Sequence, residues 1–394
     1  SKSANDNVSI YISIPFCPSR CSYCSFVSHS IEKASDLIEE YLRLLLKEIE
    51  ETANIVKELN LKVLTVYIGG GTPTTLSAKQ LTTLISKIKA CFGSEFIEFT
   101  VEAGRPDTIT KEKLLSLKNG GVSRISINPQ TMNDDVLTTI GRRHTTRQTV
   151  DAFNLARECG FDNINIDLMS ALPNQTLDSY KNTLCKVIGL GPEHISAYSL
   201  ILEEGTCLYE TIENLEREGK STGLPDEDTE RNMYYETKRI LEENGYYRYE
   251  ISNYAKKGYE CRHNVAYWKR EDYIGVGIGA ASCMDGVRMK NISDIQEYIQ
   301  IEEMPSSCEE KSETEVLTKE DKMAEFMFLG LRMVEGVSVE KFEEEFCEDF
   351  NTIYGSITQK HINDGLLEKN GENIRLTELG MDVCNVVMSS YILC

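Results

Sequence analysis

The sequence predicts an α/β protein: a partial (β/α)6 TIM-like barrel followed by a C-terminal helical, winged-helix-like domain. Three observations predict it. Short apolar runs rich in β-formers alternate with helical stretches through the first two-thirds of the chain, the pattern of a parallel sheet with helices outside. The alternation yields six strand–helix units, short of the eight that close a TIM barrel. From Lys322 onward the pattern changes to helices followed by a hairpin.

Taken in order, Val8–Ile14 reads as a strand and Ile31–Leu59 as a helix with an acidic polar face. Val63–Ile68, Phe96–Glu102, Arg124–Asn128, Asn163–Leu168 and His194–Leu200 read as the next five strands. Helices are expected at Ala78–Cys91, Lys111–Lys118, Asp134–Ile140, Arg147–Cys159 and Leu177–Leu190. Beyond Leu200 the regularity fades, leaving a helix at Asp226–Asn244 and strands at Tyr247–Ser252 and Tyr273–Val276. The polar, acidic stretch 303–321 with Pro305 reads as a linker. Helices at Met323–Val334, Val339–Phe346 and Ile353–Asp364, a hairpin at Leu367–Leu376 and a last helix at Gly380–Ile392 complete the chain. The expected division is a barrel core over 1–220, an extension over 221–302, the linker, and a small domain over 322–394.

The 394 residues carry 42 basic and 63 acidic side chains, a formal net charge of −21. That argues against a nucleic-acid partner, which needs a basic footprint, and against docking on an anionic membrane. No apolar run is long enough to span a bilayer, and the first residues are polar, so a cytoplasmic protein is expected. Of thirteen cysteines, ten (Cys91, Cys159 and Cys185 among them) lie scattered without ligand spacing and read as buried free thiols of a reducing compartment.

The other three are Cys17-Pro-Ser-Arg-Cys21-Ser-Tyr-Cys24, directly after the first strand. Such folds place chemistry at the C-terminal ends of their strands. A four-iron cluster normally takes four thiolates; three would leave one iron open for an amine and carboxylate. Zinc with His29 as fourth ligand, or a redox dithiol, are the competing readings of the spacing.

With an aromatic, Tyr23, before the last cysteine, C-x-x-x-C-x-x-C resembles the radical S-adenosylmethionine (SAM) superfamily. The phrase Tyr11-Ile-Ser-Ile-Pro-Phe-Cys17 resembles its oxygen-independent coproporphyrinogen III oxidase-like family, and the likeness runs from about Ile10 to the C-terminus. The resemblance implies a [4Fe–4S] cluster on Cys17, Cys21 and Cys24, with SAM bound to it. Gly69-Gly70-Gly71-Thr72-Pro73 follows the second strand, where glycines let backbone amides approach a ligand closely. By resemblance Gly70, Gly71 and Thr72 hold the methionyl part of SAM. Glu102, Gln130 and Asp167 stand at the ends of the third, fourth and fifth strands, Ile201 just after the sixth, and Arg142 twelve residues past Gln130. Each matches a cofactor contact of the family, as do Tyr11, Tyr23 and Ala281, with Ala280 beside the last.

Within the family the branches differ. The oxidase branch typically adds a cysteine two residues after the third, where this chain has Phe26. Cys261-Arg-His263-Asn-Val-Ala-Tyr267-Trp268 matches the His-Asn-x-x-Tyr-Trp segment of the haem-chaperone branch, implying that His263, Tyr267 and Trp268 meet haem or substrate. The alternative is a structural histidine in a loop over the barrel mouth. Glu102-Ala-Gly-Arg105-Pro-Asp107-Thr108 departs from the usual Glu-x-Asn-Pro or Glu-x-Asp-Pro and resembles a third, HemZ-like branch. The reading is therefore a haem chaperone with a radical SAM core, a client protein to receive haem, and a reducing electron donor. The first alternative is an oxidoreductase that cleaves SAM to a 5′-deoxyadenosyl radical and oxidatively decarboxylates coproporphyrinogen III or another tetrapyrrole, with Arg142 and Arg143 near its acidic groups. The second is a radical SAM C-methyltransferase or cyclopropanase.

Overall fold

A computed structural model describes residues 6–26, 28–301 and 313–392. Six parallel strands lie side by side in chain order: β1 (Asn7–Ile14), β2 (Lys62–Gly70), β3 (Glu98–Gly104), β4 (Arg124–Gln130), β5 (Ile164–Ser170) and β6 (His194–Ser199). Helices follow β2 (Ala78–Phe92), β3 (Lys111–Asn119), β4 (Thr146–Glu158) and β5 (Leu177–Leu190). Three of these four open with a capping box, on Ser77, Thr145 and Thr176, each satisfying two otherwise orphaned N–H groups.

Alternate residues of each strand divide two environments. Ile10, Ile12 and Ile14 of β1, Val66 and Ile68 of β2, and Ile164, Ile166 and Leu168 of β5 join the main apolar core. The intervening positions are polar and also buried: Ser9, Thr65, Glu98, Thr100, Arg124, Ser126, Asn165, His194 and Ser196. An ordinary parallel sheet has both faces apolar. Here one face is a polar lumen whose groups bond one another: Asn165 donates to Ser126 Oγ at 2.7 Å, and His194 bonds Asn165 Oδ1 at 2.6 Å and the Tyr249 hydroxyl at 2.7 Å.

The sheet grows past the six units at both edges. Beside β6 lie β8 (Asn253–Ala255) and then β7 (Tyr247–Arg248), both antiparallel; the expected strand Tyr247–Ser252 is broken between them. Beside β1 the chain returns in parallel as β9 (Tyr273–Val276), then turns through β10 (Ala281–Met284), β11 (Val287–Lys290) and β12 (Glu313–Val316). Among the described residues the two edges do not pair, so the barrel is open. β12 and the start of the helix Lys319–Gly330 fall within the stretch expected to be linker, whose first part, to residue 312, lies outside the described residues.

The C-terminal domain has its own core around Phe342, Phe346, Phe350 and Tyr354. Helices Lys319–Gly330, Val339–Phe346 and Phe350–Asn363 pack with a three-stranded antiparallel sheet, β13 (Val337–Ser338), β14 (Leu367–Asn370) and β15 (Asn373–Leu376), in the winged-helix manner. Two expected helices are interrupted: Ile31–Leu59 breaks at Ser35–Leu37 before Ile38–Glu58, and Gly380–Ile392 is two short pieces meeting at Val383. The small domain is tied to the barrel side by Arg248 to Glu378 (2.8 Å), Arg270 to Glu345 (2.5 Å) and the Arg332 guanidinium 4.3 Å over the Trp268 ring. No helix among the described residues is long and apolar enough to cross a membrane.

Candidate active site at the C-terminal ends of the strands

The cysteine loop leaves β1 at Ile14 and crosses above β2. Its first part is tied to the glycine segment: Gly71 N–H donates to Ile14 O at 2.8 Å and Thr72 N–H to Phe16 O at 2.7 Å. Its second part is held by Ser22, whose N–H and hydroxyl both donate to Ile140 O and whose carbonyl accepts from Leu208 N–H. The three thiols line one cavity of about 390 Å³. Gly70, Gly71 and Thr72 form one wall, Glu102, Gln130 and Asp167 line it from the strand ends, and Tyr23, Arg142 and Ile201 line the remainder. Twelve of the residues expected at a SAM site thus share one chamber.

Tyr11 and Ala281 do not. Tyr11 points into the lumen, 6.0 Å from Tyr67, and with Ala281 lines a different cavity of about 380 Å³ next to the C-terminal domain. Tyr11 lies three residues before the end of β1, and Ala281 opens β10.

The chamber's electrostatics are set by burial. Glu102 accepts from the Tyr67 hydroxyl at 2.8 Å, yet burial, reinforced by Asp167 nearby, pushes its carboxyl up to about 8. Asp167 is raised by burial as well. Arg142 donates to Tyr23 Oη at 2.9 Å and to Asn128 O, which fixes its guanidinium on the chamber wall. Burial raises the Cys17 and Cys24 thiols, and the Thr72 hydroxyl 3.6 Å from Cys17 Sγ opposes the rise.

The residues fit the group. Gln130 Oε1 and Arg142 Nε are buried without partners, and a ligand in the chamber is what would pair them. Gln130 holds a positive φ of 70°, strain of the kind that accumulates at ligand sites. Among the described residues no three Cys, His, Asp or Glu side chains converge on a single ion. A mononuclear zinc site needs such convergence, whereas a cuboidal cluster assigns each thiolate its own iron. The zinc reading with His29 therefore loses its geometric support.

One pH effect follows. A ligand bringing positive charge beside Glu102 favours the carboxylate, so it lowers a pKa that starts near 8 and releases a proton. Carboxylate-dependent affinity then rises about tenfold between pH 7 and pH 9 and levels off above that. Calorimetry of SAM binding in buffers of different ionisation enthalpy should show a proton release at pH 7 that Glu102→Gln lacks; equal release by both proteins would contradict it.

His263 occupies the opposite end of the lumen. It lies on the helix Arg262–Trp268, a helix where a loop was expected, and is 1% exposed. Its Nδ1 bonds Thr65 Oγ1 at 2.7 Å, its Nε2 bonds the Tyr267 hydroxyl at 2.8 Å, and its ring stacks on Tyr67 at 5.0 Å. Glu98, first residue of β3, accepts from the N–H groups of Arg262 (2.8 Å) and His263 (3.3 Å), and so caps this helix from the strand starts. Burial holds His263 neutral, down to about 3. With both ring nitrogens engaged it presents no free lone pair here, and it plugs the lumen from below rather than covering the mouth. Tyr267 and Trp268 face the second cavity, with Tyr11, Tyr273, Cys283 and Arg288.

Sequence reasoning missed Tyr67, Glu98, Arg105 and Asn165. Strict polar–apolar alternation within strands that are parallel and buried is the signal that points to the lumen-facing ones.

Residues 11–185 match the Radical SAM superfamily and residues 317–383 the HemN C-terminal domain, which defines the class: a radical SAM protein with a HemN-type small domain. The heme chaperones HemW of Lactococcus lactis and Bacillus subtilis are each 38% identical to it over 98% of this chain and 97% or 99% of theirs. HemZ of Bacillus subtilis, an oxygen-independent coproporphyrinogen-III oxidase-like protein, is 34% identical over 70% of this chain and 57% of its own. The chain belongs to the HemW family of radical SAM proteins. The solved coproporphyrinogen III oxidase HemN of Escherichia coli has the same fold, with a TM-score of 0.84 over 100% of this chain and 91% of that one, at 23% identity. Membership implies a [4Fe–4S] cluster and SAM.

Proposed function

We propose that this protein is a cytoplasmic haem chaperone. It binds haem, holds it and passes it to a client protein, on a core that carries SAM and a [4Fe–4S] cluster. The observation that carries the reading is full-length likeness to proteins described as heme chaperones. Two features support it. Phe26 stands where the oxidase branch has its extra cysteine and is 70% exposed beside the loop. The chamber of about 390 Å³ lies at the small end of the range for a single organic ligand, and a tetrapyrrole together with SAM exceeds it.

In this reading Cys17, Cys21 and Cys24 would hold the cluster, which would need a reducing donor. The cluster, when loaded, contributes an open iron for an amino-acid ligand. Gly70, Gly71 and Thr72 offer backbone and hydroxyl groups to SAM's methionyl end. Glu102 and Asp167 accept hydrogen bonds from it, and Gln130 and Arg142 complete their pairing on it. Tyr267 and Trp268, which line the second cavity at the other end of the lumen, would hold the haem.

The test is anaerobic reconstitution, reduction, and addition of SAM with haem or with coproporphyrinogen III. Stoichiometric haem binding, transfer to an apo-haemoprotein and no turnover are expected. Carbon dioxide release with a vinyl product sinks the chaperone reading in favour of the oxidase, and a methylated product favours a methyltransferase. His263→Ala needs care as a probe. It leaves Thr65 Oγ1 with Ser9 Oγ alone, removes the partner of the Tyr267 hydroxyl and opens a void, at a cost of about 2–4 kcal/mol. The expected result is a lower urea midpoint at unchanged slope. Tyr267→Phe, which deletes a single hydroxyl, should cost less; equal stability of wild type and His263→Ala would contradict the plugged-lumen geometry.

A further inference from the structure

We infer that Arg105 is a positioning residue for the cluster-binding loop: it clamps the Cys17–Cys21 half of that loop and places a buried cation beneath it. The inference rests on the cluster that family membership implies and is independent of the haem reading.

Arg105 stands where the chain departs from the family's usual Glu-x-Asn-Pro. It follows Gly104, whose φ of +67° turns the chain off β3 and whose missing Cβ leaves room for Thr72, since an added Cβ would sit 2.8 Å from that side chain. The turn folds the Arg105 side chain back under the loop, where it is 3% exposed. Nη1 donates to both Ser19 O (3.2 Å) and Ser19 Oγ (2.7 Å), and Nε and Nη2 donate to the two oxygens of Asp107 at 3.1 Å each. Four of the five guanidinium N–H groups are therefore committed in a planar fork that a lysine cannot reproduce. Asp107 is itself fixed by the turn Pro106–Thr108, in which Thr108 N–H and its hydroxyl both donate to Arg105 O.

Ser19 is the midpoint between Cys17 and Cys21. The Cys21–Cys24 half has its own anchors, through Ser22 to Ile140 and Leu208. Arg105 is the corresponding side-chain anchor for the first half. Each thiolate must meet a different iron, so the spacing of the two halves decides whether the cluster seats. Arg105 also lines the chamber, so its charge faces the anionic thiolate–cluster assembly. A nearby cation favours the reduced cluster, whose charge is one unit more negative. Asp107 on the far side of the guanidinium offsets part of that effect. His144, the other titratable group beside the pair, is held neutral by burial and by the neighbouring Arg142, its pKa down to about 4.

These roles separate by substitution. Full-length protein is reconstituted anaerobically, and iron, sulfide and the cluster's one-electron midpoint (EPR redox titration) are measured. Arg105→Ala should retain less than half of wild-type iron and sulfide after desalting. In its residual cluster the reduced form should be disfavoured about tenfold, about 59 mV for one electron. Arg105→Lys should restore the midpoint while iron retention stays low, because charge returns without the fork. Asp107→Asn should shift the midpoint the opposite way. Wild-type retention and midpoint in Arg105→Ala overturn the inference. Should that variant fail to fold, Ser19→Ala and Asp107→Asn carry the test, and wild-type behaviour of both overturns it equally. A wild-type protein that takes up no cluster contradicts the radical SAM site itself, a failure distinct from that of the clamp.

Discussion

Alanine at Cys17, Cys21 or Cys24 leaves a folded protein with almost no iron, no sulfide and no measurable hold on SAM. The three side chains are partly exposed at one chamber wall and carry little apolar core, so thermal stability of the cluster-free protein should hardly change. Cluster affinity falls by more than about 100-fold, because even groups that only orient a metal ligand are worth 10- to 100-fold. Binding also opposes a proton cost. Burial keeps the Cys17 and Cys24 thiols protonated, so cluster assembly must displace those protons and should be faster at higher pH. Iron and sulfide assays on the three single variants check this. Full retention in all three would remove the basis of the site.

The second large effect belongs to Gly71→Ala. A Cβ at this position would lie 2.6 Å from Phe16 O and 3.0 Å from both Cys17 Sγ and Ile14 O. Two of the three obstacles are backbone and cannot rotate away. They are also the two carbonyls that hold the glycine segment to the cysteine loop. Relief therefore means pushing Cys17 out of place. Overpacking of this kind costs about 1–3 kcal/mol, and the displaced thiol should abolish cluster retention. Gly189→Ala is the control. It lies in the helix Leu177–Leu190 with nothing near its added Cβ, so it should be neutral or stabilising by about 0.4–1 kcal/mol. A Gly71→Ala protein with wild-type iron, sulfide and melting temperature would contradict the close approach.

Much of this was legible in the residues, and the exceptions have physical reasons. The six strands announced themselves because each is a short β-branched run bounded by turn residues, and β1 to β6 fall in chain order because each parallel neighbour is reached by one crossover. The chamber residues were legible because strand ends converge in such folds: Gln130 closes β4, and Glu102 and Asp167 lie two and three residues before the ends of β3 and β5. What was not legible depends on distant contacts. Tyr11 lies three residues before the end of β1, and the pleat turns it into the lumen against Tyr67. His263 reads, by resemblance, as a haem or substrate contact or as a structural histidine over the barrel mouth, and neither reading places it at the strand starts. It is buried because Thr65 and Glu98, 198 and 165 residues earlier, and Tyr67 receive it. Arg105 looks like a loop cation until its partner, Ser19, is seen 86 residues away. Such pairings come from topology and leave no local trace.

The measurement that bears most directly on the site is low-temperature EPR of the anaerobically reconstituted, reduced protein, recorded with and without SAM. The geometry of Cys17, Cys21 and Cys24 around one chamber with Glu102, Gln130, Arg142 and Asp167 predicts a [4Fe–4S]⁺ signal whose g values shift when SAM is added. A protein that holds stoichiometric iron and sulfide yet shows the same signal with and without saturating SAM would contradict it.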